Sequence, residues 1–266
     1  MKANLDRRFG GVIRLYGERG FNNLQCAHVV VVGVGGVGSW VVEALARTAV
    51  GKLTLIDLDM IAESNTNRQL PALGDGYGKA KVEAMAERCL AINPDCQVVT
   101  IEDFVTPENV EQMLVGHENA VSKPTVVVDA IDQVRVKVAM IAYCRQQGIP
   151  VVTVGAAGGQ IDPTKIIADD LVRTIQDPLL SKVRAGLRKV HGFTRDPKKK
   201  FGVTAIYSTE PLRYPTSDQQ CEVPSPPSES VGPQGLNCAG FGSSVCVTAG
   251  FGFAAAAHAI NYIVAA

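Results

Sequence analysis

Residues 29 to 40, VVVVGVGGVGSW, confine the chain to a narrow set of folds. Four consecutive valines make a strand buried on both faces, because β-branched side chains suit a pleat and no polar residue alternates with them. Gly33, Gly35, Gly36 and Gly38 then form a tight turn, after which SWVVEALAR resumes at helical spacing. A strand feeding a helix through such a turn is half of a parallel βαβ unit. A phosphate can rest on the helix N-terminus it exposes. Taken alone, the turn suits a nicotinamide, a flavin or ATP equally.

The rest of the chain repeats the pattern. Apolar runs at 29–34, 53–57 and 125–129 alternate with helical patterns at 36–48 and 78–92, and a fourth run at 150–154 comes after a helical stretch at 133–148. Val37, Trp40, Val41, Ala44 and Leu45 mark the buried face of the first helix. Val82, Met85, Ala86, Cys89 and Leu90 mark that of the second. CQVVTI, 96–101, reads as a strand, and TPENVEQML opens a helix with Thr106 as cap and Pro107 at its first position. This predicts an α/β fold with a doubly wound, mostly parallel, Rossmann-like sheet, and ligands at the carboxyl ends of its strands.

After about residue 160 the texture changes. GAAGGQIDPTKI predicts a glycine-loosened strand, a turn at Asp162 and Pro163, and a second strand; 178–191 predicts a basic helix; the proline- and serine-rich 211–235 predicts irregular chain. The 266 residues are read as a single domain. Its parts are an N-terminal segment 1–28, a nucleotide-binding core 29–168, a basic and Pro/Ser-rich excursion 169–238, and an apolar C-terminal helix 239–266.

Composition sets the surroundings. With 46% hydrophobic and 20% charged residues and a net charge of zero, global charge directs the chain toward neither nucleic acid nor membrane. Seven cysteines form no Cys-x-x-Cys pair, which argues against a four-thiolate zinc site and suits a reducing cytoplasm. MKANLDRRFGG has no apolar stretch and does not read as a signal peptide. Residues 245–266 carry no formal charge and approach the length of a membrane span. Because His258 and Asn261 interrupt them and alanine dominates, a core or subunit-interface helix is expected over peripheral membrane association.

The residues beyond the glycine turn separate the ligands. Asp57 and Asp59 close the second strand, Asn65, Arg68 and Gln69 come next in SNTNRQ, Lys81 opens the next helix, and Asp129 and Asp132 end VVVDAID. A dinucleotide's pyrophosphate needs no two further cations there. A triphosphate does, since its charge must be neutralised as pyrophosphate leaves. ATP is therefore the expected cofactor, held by the four glycines with Asp57, Asp59, Asn65 and Gln69, while Arg68, Lys81 and Asp132 serve catalysis. Asp132 is also the expected Mg²⁺ ligand, because that ion takes one or two carboxylates plus phosphate oxygens. An N-cap role for Asp132 is compatible with this. The run 182–200 concentrates Lys182, Arg184, Arg188, Lys189, Lys198, Lys199 and Lys200. It predicts contact with a nucleic-acid backbone, against the plainer alternative of a solvated face.

Together GVGGVG, DLD, SNTNRQ, the KAKV containing Lys81, AINP and DAID resemble the adenylating domain of ubiquitin-activating-type (E1-like) enzymes and their bacterial sulfur-carrier relatives. FVTPENV, GAAGGQIDP, TIQDPL and FGV…YSTE are closer to the tRNA threonylcarbamoyladenosine dehydratase branch of that superfamily. The resemblance covers nearly the whole chain. It implies ATP-dependent cyclisation of N6-threonylcarbamoyladenosine at position 37 of tRNA through an acyl-adenylate, releasing AMP and pyrophosphate. The modified tRNA is then the partner. A homodimer is implied because relatives insert an arginine from the partner subunit, from a segment reading R-Y-x-R-Q. Here RFGG places Gly11 at that arginine's position, with Arg14 or Arg8 as the candidate substitute. Cys238 is a candidate nucleophile for a transient thioester. The resemblance also leaves open a sulfur-transfer protein partner. One rival is an adenylyltransferase acting on the C-terminus of a ubiquitin-like sulfur carrier, which shares the ATP residues but usually carries the Cys-x-x-Cys pairs missing here. A nicotinamide oxidoreductase and a non-catalytic module are the others.

Overall fold

The structure, a computed structural model, describes residues 4–116, 123–196, 198–214 and 241–266. Its strands are β1 (His28–Val32), β2 (Lys52–Ile56), β3 (Gln97–Ile101), β4 (Val126–Asp129), β5 (Val151–Val154), β6 (Ile166–Asp170) and β7 (Thr204–Ser208). The helices are α1 (Leu5–Cys26), α2 (Gly38–Arg47), α3 (Lys81–Ile92), α4 (Val134–Gln146), α5 (Pro178–Val190) and α6 (Val245–Ala265). All seven strands join one sheet in the order β3-β2-β1-β4-β5-β7-β6. Every neighbouring pair is parallel except β6 against β7. Because β1 is flanked by β2 on one side and β4 on the other, the winding reverses there and a crevice opens over the strand tips.

Both faces of the sheet are covered, which is why the strands read as unbroken apolar runs. Val29 and Val31 enter one core layer with Val41, Leu45, Met85, Phe251 and Ala255 from α2, α3 and α6. Val30 and Val32 enter the other with Met140, Ile141, Leu180, Val183 and Leu187 from α4 and α5. Helix α6 is long and apolar enough to cross a membrane, yet half of its most apolar window is buried within the structure. Val247, Phe251, Ala255, Ala259 and Ile263 form its inward face.

The structure departs from the sequence reading in four places. The N-terminal segment is largely the 22-residue helix α1, kinked at Gly17, where φ is 73°. The boundary at 169 does not open an excursion: β7 pairs with β5, and α5 buries Leu179, Leu180, Val183 and Leu187 beneath its basic outer face. GAAGGQIDPTKI holds no first strand: β5 ends just before it, at Val154, and irregular chain leads to Pro163. After Thr106, whose hydroxyl accepts the amides of Glu108 and Asn109 at 3.3 Å, the chain makes a turn and the π-helical segment Gln112–Gly116 rather than a full α-helix.

Candidate active site

A cleft of about 320 Å³ crosses the carboxyl ends of the central strands. The glycine turn forms its floor. Gly33 adopts φ 85°, and its amide is held by the Ile56 carbonyl at 2.9 Å. A Cβ on Gly38 would lie 1.7 Å from the Gly33 carbonyl oxygen, so the first turn of α2 closes on the strand only because a hydrogen stands there. No side chain caps the start of α2; its Ser39 and Trp40 amides turn back to the Gly35 and Val37 carbonyls at 3.1 Å, so an anion there meets the amides of the glycine turn itself and the helix dipole. Gly33, Gly35 and Gly36 line the cleft. Gly38 lies behind it and acts through the packing just described.

The sequence-identified polar residues converge on this floor: Asp57, Asp59, Asn65, Arg68, Gln69, Lys81 and Asp132 all line the same cleft. Asp57, just past the tip of β2, accepts the Val34 amide at 2.6 Å and the Asp59 amide at 2.9 Å, one on each oxygen. It fixes the turn and keeps lone pairs for ribose hydroxyls. The Lys81 side chain is 6% exposed, and its ammonium sits 2.7 Å from the carboxylate of Asp59, whose side chain is 60% exposed. Asp59 therefore holds the cation in place on the solvent side. Arg68 lies along Gly36, and its Nη1 donates to the Ser64 carbonyl and the Asn67 side chain. Burial lowers the Arg68 guanidinium from its usual value, which marks a desolvated cation suited to an anion. Asn65 is buried and braces this loop by accepting the Ala62 amide at 3.0 Å. Gln69 lines the cleft, and its side-chain Oε1 is buried without a hydrogen-bond partner among the described residues.

The two carboxylates after β4 part company. Asp132 is half-buried in the cleft and makes no hydrogen bond or ion pair among the described residues, which leaves its carboxylate free to hold a cation such as Mg²⁺. It is not the helix cap; Gln133 holds that position without a side-chain bond. Asp129 does not reach the cleft. It is fully buried, 2.9 Å from the equally buried Lys137 ammonium, and accepts the Thr153 hydroxyl at 2.7 Å. Asp177 completes this layer: one oxygen accepts the Leu180 amide at 2.8 Å, capping α5, and the other accepts the Ala156 amide at 2.9 Å. Sequence reading assigned no role to Lys137 and Thr153, which no motif marks, nor to Asp177, which falls within TIQDPL but was given no function there. It also missed the far wall of the cleft, formed by Gly155–Gly158, Leu212, Phe241, Ser243 and Thr248.

Arg14 is exposed on α1 and does not line the cleft of its own chain. Arg8 is engaged elsewhere, donating to the carbonyls of Ala91 and Ile92 at the end of α3. In the basic run, Lys182, Lys189, Lys198, Lys199 and Lys200 are exposed. Arg184 and Arg188 are half-buried: the first bonds the Thr174 hydroxyl, and the second lies 5.5 Å over the Phe201 ring. Cys238 lies outside the described residues.

A family model described as ThiF matches residues 8–264. The chain is 51% identical to the tRNA threonylcarbamoyladenosine dehydratase of Escherichia coli (strain K12), over 97% of this chain and 94% of that protein. It is 48% identical to the Haemophilus influenzae protein of the same name, with the same coverage. Crystal structures of the Escherichia coli tRNA N6-threonylcarbamoyladenosine dehydratase, one in complex with ATP and one with AMP, are each 47% identical to it at a TM-score of 0.85. Each alignment covers 100% of this chain and 97% of that one.

Proposed function

The chain belongs to the ThiF family, and on that premise we propose that it is an ATP-dependent enzyme that cyclises N6-threonylcarbamoyladenosine in tRNA. The observation that carries this is the convergence of Arg68, Lys81 and Asp132 with the glycine turn in one cleft. Those parts dictate the chemistry. The substrate carboxylate attacks the α-phosphorus of ATP, and pyrophosphate leaves as Arg68 and Lys81 take up its charge. The carbamoyl group of the same nucleoside then attacks the activated acyl carbon and expels AMP, which carries away the oxygen lost as water. Tethering makes this second step fast, since effective molarities of about 10⁵–10⁸ M are reached by well-oriented intramolecular nucleophiles. No enzyme nucleophile is required.

Several parts of the reading extend beyond the ATP site. Mg²⁺ on Asp132 would screen the phosphate oxygens. A homodimer would bring the exposed Arg14 of one copy to the cleft of the other. The exposed lysines of the 182–200 run would meet the tRNA backbone, position it and read no sequence. The chain acts as a single domain and in the cytoplasm. Incubating the protein with ATP and tRNA bearing the modified nucleoside, then tracking pyrophosphate and the nucleosides by mass spectrometry, tests the central claim. Conversion with loss of one water is expected. Pyrophosphate release only with a ubiquitin-like carrier protein would instead favour the rival adenylyltransferase. Sedimentation of the active species tests the dimer.

A further inference from the structure

The strand order gives the cleft a direction. Asp57 and the Asp103–Val105 segment stand beyond β2 and β3, the glycine turn beyond β1, Asp132 beyond β4, and Gly155–Gly158 beyond β5. Strands are spaced about 4.8 Å apart, so from the β3 tip to the β5 tip the cleft spans roughly 19 Å. The ribose-binding carboxylate fixes the adenosine of ATP at the β2 and β3 end, and the cations fix its phosphates in the middle. That leaves the β5 end for what is adenylated. Every charged lining residue, Asp57, Asp59, Arg68, Lys81, Asp103 and Asp132, belongs to the β3–β4 part, whereas the lining from Val154 onward is uncharged.

The β5 end is built around aromatic surface. Phe241 lines the cleft, and its ring centroid lies 5.1 Å from that of Tyr214, which is 69% exposed at the rim. Phe241 rests on a glycine shelf, Gly158 and Gly159. The Gly159 amide donates to the Gly242 carbonyl, and the Arg213 amide donates to the Gly159 carbonyl, each at 2.8 Å. Gly159 has φ 73°, and a Cβ there would lie 3.0 Å from the Phe241 ring. The Asn67 side-chain amide donates to the Ser243 hydroxyl at 2.9 Å, tying this wall to the loop that carries Arg68.

Resting on the cyclisation reading above, we infer that Phe241, with Tyr214 and the Gly158–Gly159 shelf, forms the subsite that receives the substrate's own purine by stacking. A planar, neutral base fits an uncharged aromatic wall, and its acid tail must reach the phosphates. The tail from N6 to the carboxyl carbon is four bonds, roughly 5 Å by ordinary backbone geometry, about one strand spacing. A base against Phe241 therefore delivers its carboxylate toward the β4 tip, where Asp132 stands. A stacked base is held whatever its sequence context, which complements backbone contacts that read no sequence.

The test uses an anticodon stem-loop RNA carrying the modified adenosine, with ATP binding measured alongside turnover. Removing the ring in Phe241→Ala or Phe241→Leu is expected to raise KM for the stem-loop about tenfold, with ATP affinity unchanged, while Phe241→Trp keeps the wild-type KM. The leucine variant retains apolar volume, so its loss cannot come from a collapsed wall. An unchanged KM in both ring-less variants overturns the inference. So does a parallel loss of ATP affinity, which would place the cofactor's adenine on this wall. A wild-type protein that binds ATP but leaves the modified stem-loop unreacted sinks the cyclisation reading itself, whatever the variants do.

Discussion

Lys81 shows how a charge can be both buried and available. Its side chain is 6% exposed, yet that of its partner Asp59 is 60% exposed, so water shares the load and the pair is a cheap one to open toward phosphate. Lys81→Ala should therefore leave stability within about 1 kcal/mol of wild type, while adenylation falls about 10²–10³-fold. Asp132→Asn should leave the fold equally intact and cut pyrophosphate release by a similar factor. Thermal melts and pyrophosphate release check both, and retained turnover would remove the assigned role. Asp132 was legible in the sequence because a charged side chain just past an apolar strand has no packing reason to be there, and Lys81 because it opens the helix that follows SNTNRQ. Lys137 was not legible: between Val136 and Val138 on a helix it reads as an ordinary surface lysine.

Glu43 gives a pH dependence at the same scale. Burial raises its carboxyl, but hydrogen bonds from Arg88 and Arg47 outweigh that and bring it below its ordinary 4.5. A carboxyl depressed in the folded state stabilises above its unfolded value, and that contribution fades as pH falls through the folded value. Glu43→Gln should thus cost about 1.5–3 kcal/mol near neutrality, with the gap to wild type closing as pH falls below the ordinary 4.5 in urea titrations.

Among the elements, β1, β2, β4 and β5 were readable to within a residue or two, since a strand buried on both faces leaves an uninterrupted β-branched run. Helix α1 escaped notice because its buried stripe is thin, only Phe9, Gly20, Phe21 and Leu24. Strand β7 escaped because its partners β5 and β6 lie far off in sequence and nothing local announces the pairing. What joins β4, β5 and α4 is the buried Asp129, Thr153 and Lys137 set. Lys137→Met strands the Asp129 charge without compensation and should destabilise the protein by about 3–5 kcal/mol in denaturant unfolding. A near-neutral result would show that the Lys137–Asp129 pair is not what holds these elements together.

At the scale of the whole molecule, the two core layers shut their thiols away. Burial pushes Cys89 and Cys144 up to about 12 and Cys96 to about 11, so all three stay protonated and unreactive near neutral pH. Cys26 and Cys246 are exposed. Iodoacetamide at pH 8, with peptide mass spectrometry as the readout, should label those two and spare the three core thiols until the protein is unfolded. Early labelling of Cys89 or Cys144 would show that a layer opens in the native state.

Trp40 is the chain's single tryptophan, and its indole N–H donates to the Arg68 carbonyl at 3.0 Å. The protein thus carries its own optical gauge, wired by one bond to the loop that greets the phosphates. Emission excited at the indole band should shift in colour or intensity as nucleotide is titrated in, giving loading curves without any attached dye.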